Sequence, residues 1–134
     1  MNTQAGLPYE NTIHETLQIR GVELSADKVV LEMPVGPRVH QPMGLLHGGA
    51  SAVVAESAAS IGAFMNCDTS KGEYAVGMDL NISHLRAKTE GTVRATATLI
   101  RKGKTIHVWG IDIADEDGKL VAVARCTLAV RRPE

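Results

Sequence analysis

The 134-residue chain has 44% hydrophobic and 22% charged residues, a composition typical of one globular domain. Its net charge of −1 and aromatic content of 3% give no basic surface or base-stacking platform for nucleic acid or an anionic membrane. The N-terminus lacks a basic start and an apolar run, and Cys67 and Cys126 show no CxxC spacing. We therefore expect a single domain (residues 1–134) in the cytoplasm, without a membrane segment or a metal site.

The first third of the chain predicts short elements followed by a loop. In order, these are a frayed N-terminal end, a possible short helix completing an N-terminal extension, and two strands joined by a turn, at residues 1–8, 9–17, 19–24 and 28–33. The prolines and glycines from Pro34 to Pro42 then predict the end of regular structure. We expect this loop to bring Arg38, His40 and Gln41 to the start of the next element.

The longest segment with helical character runs from residue 47 to residue 66 and consists mostly of Ala, Gly, Ser and small aliphatic residues. Apolar residues on all sides of a helix indicate burial, and small ones indicate close approach of other backbone. Glu56 is its one formal charge. A lone carboxylate in such a helix is either paired with an arginine from a strand or kept for chemistry.

The rest of the chain has a β pattern, with strands predicted at residues 74–85, 92–100, 105–114 and 119–131. Gly77 inside the first of these predicts a bulge or a close backbone approach. Short turns at 101–104 and 115–118 make the last three strands antiparallel neighbours. The fold class is therefore α+β, an antiparallel sheet wrapped around one long central helix.

The predicted helix start offers a place for a developing oxyanion. Gly48 and Gly49 lie in its first turn, where backbone N–H groups have no intrahelical acceptor. Glu56 lies eight residues later, about 12 Å along the helix axis. One reacting carbon must lie about 3 Å from both the oxyanion donors and the acidic group. Two antiparallel copies of the helix would satisfy this requirement, so we expect an active site shared across a homodimer.

Several motifs resemble those of one family. They are the run from Gln41 to Ser51, Glu56-Ser57 in the helix, and Asn-x-x-His-x-Arg from Asn81 to Arg86. Together with the element order, they make the chain similar to hotdog-fold thioesterases from about Leu17 to Val130. The branch it resembles comprises 4-hydroxybenzoyl-CoA, phenylacetate-pathway and 1,4-dihydroxy-2-naphthoyl-CoA thioesterases.

The resemblance implies hydrolysis of an aromatic or medium-sized acyl-CoA, with no metal and no cofactor besides the coenzyme A of the substrate. Glu56 would act as nucleophile or as general base, and the Gly48 or Gly49 N–H would bind the oxyanion. Gln41 and His47 would orient the thioester carbonyl, unless His47 is only a helix cap, and Ser60 would position the carboxylate or water. The family also implies a homodimer, usually paired into a tetramer.

Coenzyme A carries a pyrophosphate and a 3′-phosphate, which surface cations can hold. The candidates for its contacts, which could equally be solvated residues, are His84, Arg86, Lys102, Lys104 and Thr105. Candidates for the acyl pocket, equally plausible as core, include Ile61 and Met78. Two other functions remain open: a proofreading thioesterase for acyl-carrier protein, and a non-catalytic binder of CoA esters.

Overall fold

The computed structural model describes residues 3–133, and the predicted α+β architecture is confirmed. The helices are Ile13–Thr16 (α1) and Gly48–Met65 (α2), and single 3-10 turns lie at Pro37–Val39 and Thr69–Lys71. The strands are Thr3–Gln4 (β1), Leu7–Pro8 (β2), Arg20–Leu24 (β3), Lys28–Val35 (β4), Tyr74–His84 (β5), Gly91–Lys102 (β6), Ile106–Ala114 (β7) and Leu120–Arg131 (β8).

Six strands form one antiparallel sheet in the order β3-β4-β6-β7-β8-β5, and α2 packs across β4 to β8. The predicted hairpins β6-β7 and β7-β8 are present, and Gly118 has the positive φ of 79° that the β7-β8 turn requires. The pairing of β5 with β8 rather than β6 makes β5 an outer strand. The register of β5 shifts between Gly77 and Asp79, which confirms the predicted bulge.

The two edges of the sheet differ in length and chemistry. β3 has five residues, includes charged Arg20 and Glu23, and is interrupted by its own bulge. β5 has eleven residues and leaves apolar side chains exposed, among them Val76 at 43% and Met78 at 55%. Short, charged and bulged edges resist pairing with another sheet, whereas a long apolar edge invites it.

The hydrophobic core includes a close contact between α2 and the centre of the sheet. Trp109 on β7 is fully buried, and its indole lies over Gly62 of α2. A Cβ built on Gly62 would lie 2.3 Å from Trp109 Cη2, closer than any real contact. The absence of a side chain at Gly62 therefore allows the helix to lie directly on the indole.

Two local predictions were wrong. Residues 3–8 form a β1-β2 hairpin rather than a frayed end; its turn has positive φ at both Ala5 and Gly6, and alanine is rare in that conformation. Residues 1–2 of the predicted frayed end lie outside the described residues. β4 also continues through Pro34, where regular structure was predicted to end. β3 pairs with β4 only as far as Glu32, so no neighbouring strand on that side requires a hydrogen bond from the N–H that Pro34 lacks. The short helix was correctly predicted, although α1 covers only four residues.

Candidate active site

His47 forms the N-cap of α2 and fixes the start of the helix. Its ring Nδ1 accepts a hydrogen bond of 2.7 Å from the Gly49 N–H, and its backbone N–H donates to the Val39 carbonyl at 2.8 Å. The loop before α2 is thereby attached to the helix. No partner for the Gly48 N–H is found among residues 3–133. Of the two glycines, Gly48 therefore has the N–H that is free to bind a ligand.

A cleft of about 340 Å³ lies beside this helix start. Its lining includes four of the predicted site residues, namely Gln41, Gly48, His84 and Arg86. A Cβ built on Gly48 would lie 2.8 Å from His84 Nε2, so the glycine allows the imidazole to approach the helix terminus. The cleft thus combines an unpaired backbone N–H with an amide, an imidazole and a guanidinium.

Glu56 lies on the wall of a different cavity, of about 510 Å³, together with Ser60 and Ile61. The predicted burial of Glu56 is not found: its side chain is exposed in the single chain. It makes no ion pair with any residue of the described part, so the structural alternative of an arginine partner is not found there either. Gly77 at the bulge of β5 makes room for it, since a Cβ there would lie 2.8 Å from Glu56 Oε2.

The N-terminal extension supplies part of the wall of this cavity, which the sequence did not indicate. Leu7, Ile13 and His14 line it together with residues of α2. His14 Nε2 lies 2.8 Å from Ser57 Oγ, and His14 Nδ1 lies 2.9 Å from Gln4 Oε1. Burial lowers the pKa of His14. The signal available in the sequence was a histidine within the one predicted helix of the extension.

Two comparisons bear on this arrangement. The profile described as the thioesterase superfamily matches residues 43–122, which include both the helix start and Glu56. A 1,4-dihydroxy-2-naphthoyl-CoA hydrolase of Listeria monocytogenes is 44% identical over 120 residues, covering 90% of this chain and 96% of that protein. The chain belongs to the thioesterase superfamily.

Solved structures agree with this membership. A mutant of the thioesterase PA1618 from Pseudomonas aeruginosa has a TM-score of 0.89 and 42% identity, with 93% of this chain and 89% of that one covered. A mutant of the thioesterase SAV0944 from Staphylococcus aureus has a TM-score of 0.86 and 37% identity, with 90% and 98% covered. This member of the thioesterase superfamily therefore has the hotdog fold and is a thioester hydrolase.

The structure of this thioesterase divides the predicted coenzyme A contacts into two groups. His84 and Arg86 lie at the cleft beside Gly48. Lys104 and Thr105 line a separate cleft of about 550 Å³ with Glu73, which accepts a bond from the Asp68 N–H just beyond the end of α2. Lys102 is exposed at the end of β6. The two groups thus lie toward opposite ends of a helix about 27 Å long.

The positions of Met78 and of the two cysteines bear on acyl binding and on nucleophilic attack, respectively. Met78 is 55% exposed on β5 and does not line the cavity beside Glu56, so its acyl contact stays a prediction. Cys67 and Cys126 are free thiols whose pKa values burial raises, that of Cys126 to about 12, which disfavours a nucleophilic thiolate.

Within residues 3–133, no group of three histidine, cysteine or acidic residues is placed to hold a metal ion. No helix in the same range is long and apolar enough to cross a membrane.

Proposed function

We propose that the protein hydrolyses an acyl-CoA thioester, with an aromatic or medium-sized acyl group, at a site assembled from two copies of the chain. The observation that carries the proposal is the separation of the two sets of site residues. Gln41 and Gly48 line one cleft, Glu56 and Ser60 line another, and the two linings have no residue in common. Each cavity alone holds only half of what thioester hydrolysis requires.

A second protomer can supply the missing half along β5. This outer strand has a long apolar edge and passes beside Glu56, as the Gly77 contact shows. Pairing of two β5 edges about a two-fold axis would place two α2 helices antiparallel. Gly48 of one protomer would then lie near Glu56 of the other, and the exposed carboxylate would become enclosed.

In the assembled site, each residue has a defined task. The Gly48 N–H receives the oxyanion as the thioester carbon becomes tetrahedral, and Gln41 and His47 orient the carbonyl. Glu56 either attacks this carbon or removes a proton from the attacking water, and Ser60 positions the carboxylate or the water. The carbon–sulfur bond then breaks, and coenzyme A leaves as a thiol together with the free acid.

The two groups of coenzyme A contacts fit the same assembly. In an antiparallel pair, the C-terminal end of one helix lies near the N-terminal end of the other. Lys102, Lys104 and Thr105 of one protomer would then join His84 and Arg86 of the second around one nucleotide. The proposal also includes a pair of dimers and, because both cysteines are free thiols, a cytoplasmic location.

One detail of a relative supports the assignment of Gln41 and Glu56. The Staphylococcus aureus protein was solved both as a glutamine-to-alanine and as a glutamate-to-alanine mutant. The two replaced positions are 15 residues apart in that chain, the separation between Gln41 and Glu56 here.

Release of free thiol from a panel of thioesters tests the reaction. We expect turnover of benzoyl-, phenylacetyl- or hexanoyl-CoA, at higher kcat/KM than for the same acyl groups on acyl-carrier protein, because cations at both ends of α2 are available to the nucleotide phosphates. A preference for the carrier protein would favour the proofreading alternative. Absence of thiol release from every member would contradict a thioesterase acting on these acyl groups.

Mixing two inactive variants tests the shared site. Glu56→Gln removes one half. Gly48→Pro disables the other, because proline lacks the N–H and its Cβ would displace the His84 imidazole from the helix terminus. Each alone is expected to keep about 1% of wild-type turnover or less. The two variants are co-expressed and purified with two different tags. Each mixed dimer contains one intact site and one doubly altered site, so turnover should rise well above that of the single variants, to at most about half of wild type. Activity that stays at the level of the single variants would place both halves in one chain.

A further inference from the structure

The proposed reaction leaves one proton without a source. When the carbon–sulfur bond breaks, the sulfur keeps the electron pair and needs a proton to become the thiol of coenzyme A. Glu56 has no proton to give if it attacks as a nucleophile, and in either role it lies at the cavity that receives the acyl group. A proton donor on the coenzyme A side of the thioester would complete the reaction.

The position of the sulfur follows from where the two parts of the substrate bind. In the proposed assembly, the acyl group enters the mostly apolar cavity beside Glu56 of one protomer, and coenzyme A passes Arg86 at the cleft of the other. The carbonyl oxygen faces the Gly48 N–H at this cleft. Because the sulfur is bonded to the carbonyl carbon and continues into coenzyme A, it lies at the cleft beside Gly48.

Of the polar groups that line this cleft, only the imidazole of His84 can both release and regain a proton near neutral pH. The amide of Gln41, the backbone N–H of Gly48 and the hydroxyl of Ser51 keep their hydrogens, and the guanidinium of Arg86 stays protonated. A Cβ built on Gly48 would lie 2.8 Å from His84 Nε2, so the imidazole contacts the residue whose N–H receives the oxyanion. His84 is therefore placed beside the reacting group.

The chain has five histidines, and within residues 3–133 the other four rings are engaged or enclosed. The His47 Nδ1 accepts a backbone N–H as the helix cap, so this ring stays neutral and cannot release the hydrogen on Nε2. His107 is 2% exposed in the core. The rings of His14 and His40 form hydrogen bonds to other residues. The His84 side chain is exposed, and no hydrogen bond to its ring is found in the described range.

We propose that His84 is the general acid of the reaction and protonates the leaving sulfur. As the carbon–sulfur bond breaks, the electron pair goes to sulfur, the imidazolium gives it a proton, and the neutral imidazole then takes a proton from solvent. The inference rests on the proposed function and refines one part of it. The part of coenzyme A that His84 meets is the sulfur, and the phosphates are left to Arg86 and the cations of the other protomer.

The test varies the leaving thiol, using benzoyl thioesters of N-acetylcysteamine and of 4-nitrothiophenol, which both lack the nucleotide. The first thiol is as basic as that of coenzyme A, whereas the second forms a weakly basic thiolate that leaves without a proton. His84→Gln keeps a hydrogen-bond donor of similar size but cannot transfer a proton. It should lower kcat/KM for the N-acetylcysteamine ester by about 10²-fold, a usual scale for acid–base catalysis, and should barely change that for the nitrothiophenyl ester.

Arg86→Ala is the matched comparison, because Arg86 lines the same cleft and is predicted to meet the phosphates. Its loss should be largest with benzoyl-CoA and equal for the two truncated thioesters. Added imidazole gives a second measurement with benzoyl-CoA itself, since it should restore part of the turnover of His84→Ala but none of that lost in Arg86→Ala.

Two results would overturn the inference. Equal losses with both truncated thioesters in His84→Gln would indicate a structural role, and no loss with either would leave His84 as a nucleotide contact. An equal response of His84→Ala and Arg86→Ala to imidazole would contradict it as well. These results leave the thioesterase reaction itself standing, whereas a wild-type protein that hydrolyses no thioester would contradict the proposed function.

Discussion

Replacing Glu56 by glutamine is expected to lower kcat by at least ~10²-fold, the usual scale for loss of a general base. Glutamine has nearly the same shape and still fits beside Gly77, but it can neither attack the thioester nor accept a proton from water. Glu56→Ala should lose as much. Because the side chain is exposed in the single chain and has no ion pair among the described residues, neither change should disturb the fold.

Single-turnover and steady-state thiol release would measure kcat, and calorimetry with coenzyme A would measure binding. Binding of the free coenzyme should survive in both Glu56 variants. Glu23→Gln is a matched control, since Glu23 is an exposed carboxylate on β3 that lies 3.8 Å from the Lys28 ammonium. It should leave kcat unchanged, and turnover near wild type in either Glu56 variant would end the catalytic assignment.

The effect of Gly62→Ala on the free energy of unfolding is expected to change sign when Trp109, the residue that faces Gly62, is replaced by phenylalanine. Gly62→Ala should lower the free energy of unfolding by about 1–3 kcal/mol, because the new methyl group would overlap the Trp109 indole. This loss would occur although alanine is the better helix former by about 1 kcal/mol. In a Trp109→Phe background, the atoms that face Gly62 are absent, so Gly62→Ala should stabilise.

Urea unfolding at one fixed protein concentration would give the four free energies of this cycle. Trp109→Phe alone leaves a void in the core and should itself be destabilising. Gly36→Ala is the control, since a Cβ there has no neighbour within 4 Å and the backbone is extended. An additive cycle, with Gly62→Ala equally harmful in both backgrounds, would show that the helix does not rest on the indole as described.

The parts of the fold that follow from local pattern were predictable. The long helix was predicted at residues 47–66 and observed at Gly48–Met65, because small apolar residues and a capping position are visible in the sequence. The Gly77 bulge and the hairpins among the last three strands follow from single residues with known backbone preferences. The distance between Gly48 and Glu56 along the helix could be calculated from the rise per residue alone.

What could not be predicted depends on contacts between distant segments. Nothing local to β5 indicates that it pairs with β8, and this pairing decides which strand forms the outer edge. The β1-β2 hairpin is two residues long on each side and turns at an alanine, so it has no recognisable signature. His14 was missed as a cavity residue because its partners are ten and 43 positions away. The exposure of Glu56 was missed because apolar residues occur on all sides of the helix, so the sequence does not indicate which face the sheet leaves uncovered.

The N-terminal extension contributes to the cavity through Leu7, Ile13 and His14, whereas Glu56 belongs to a helix fixed at one end by the His47 cap and farther along by Trp109. The extension can therefore accumulate changes without moving the acidic group. We expect related enzymes to diverge in substrate choice by altering this short leading segment, and chimaeras that exchange it to be a practical route to new specificities on an unchanged scaffold.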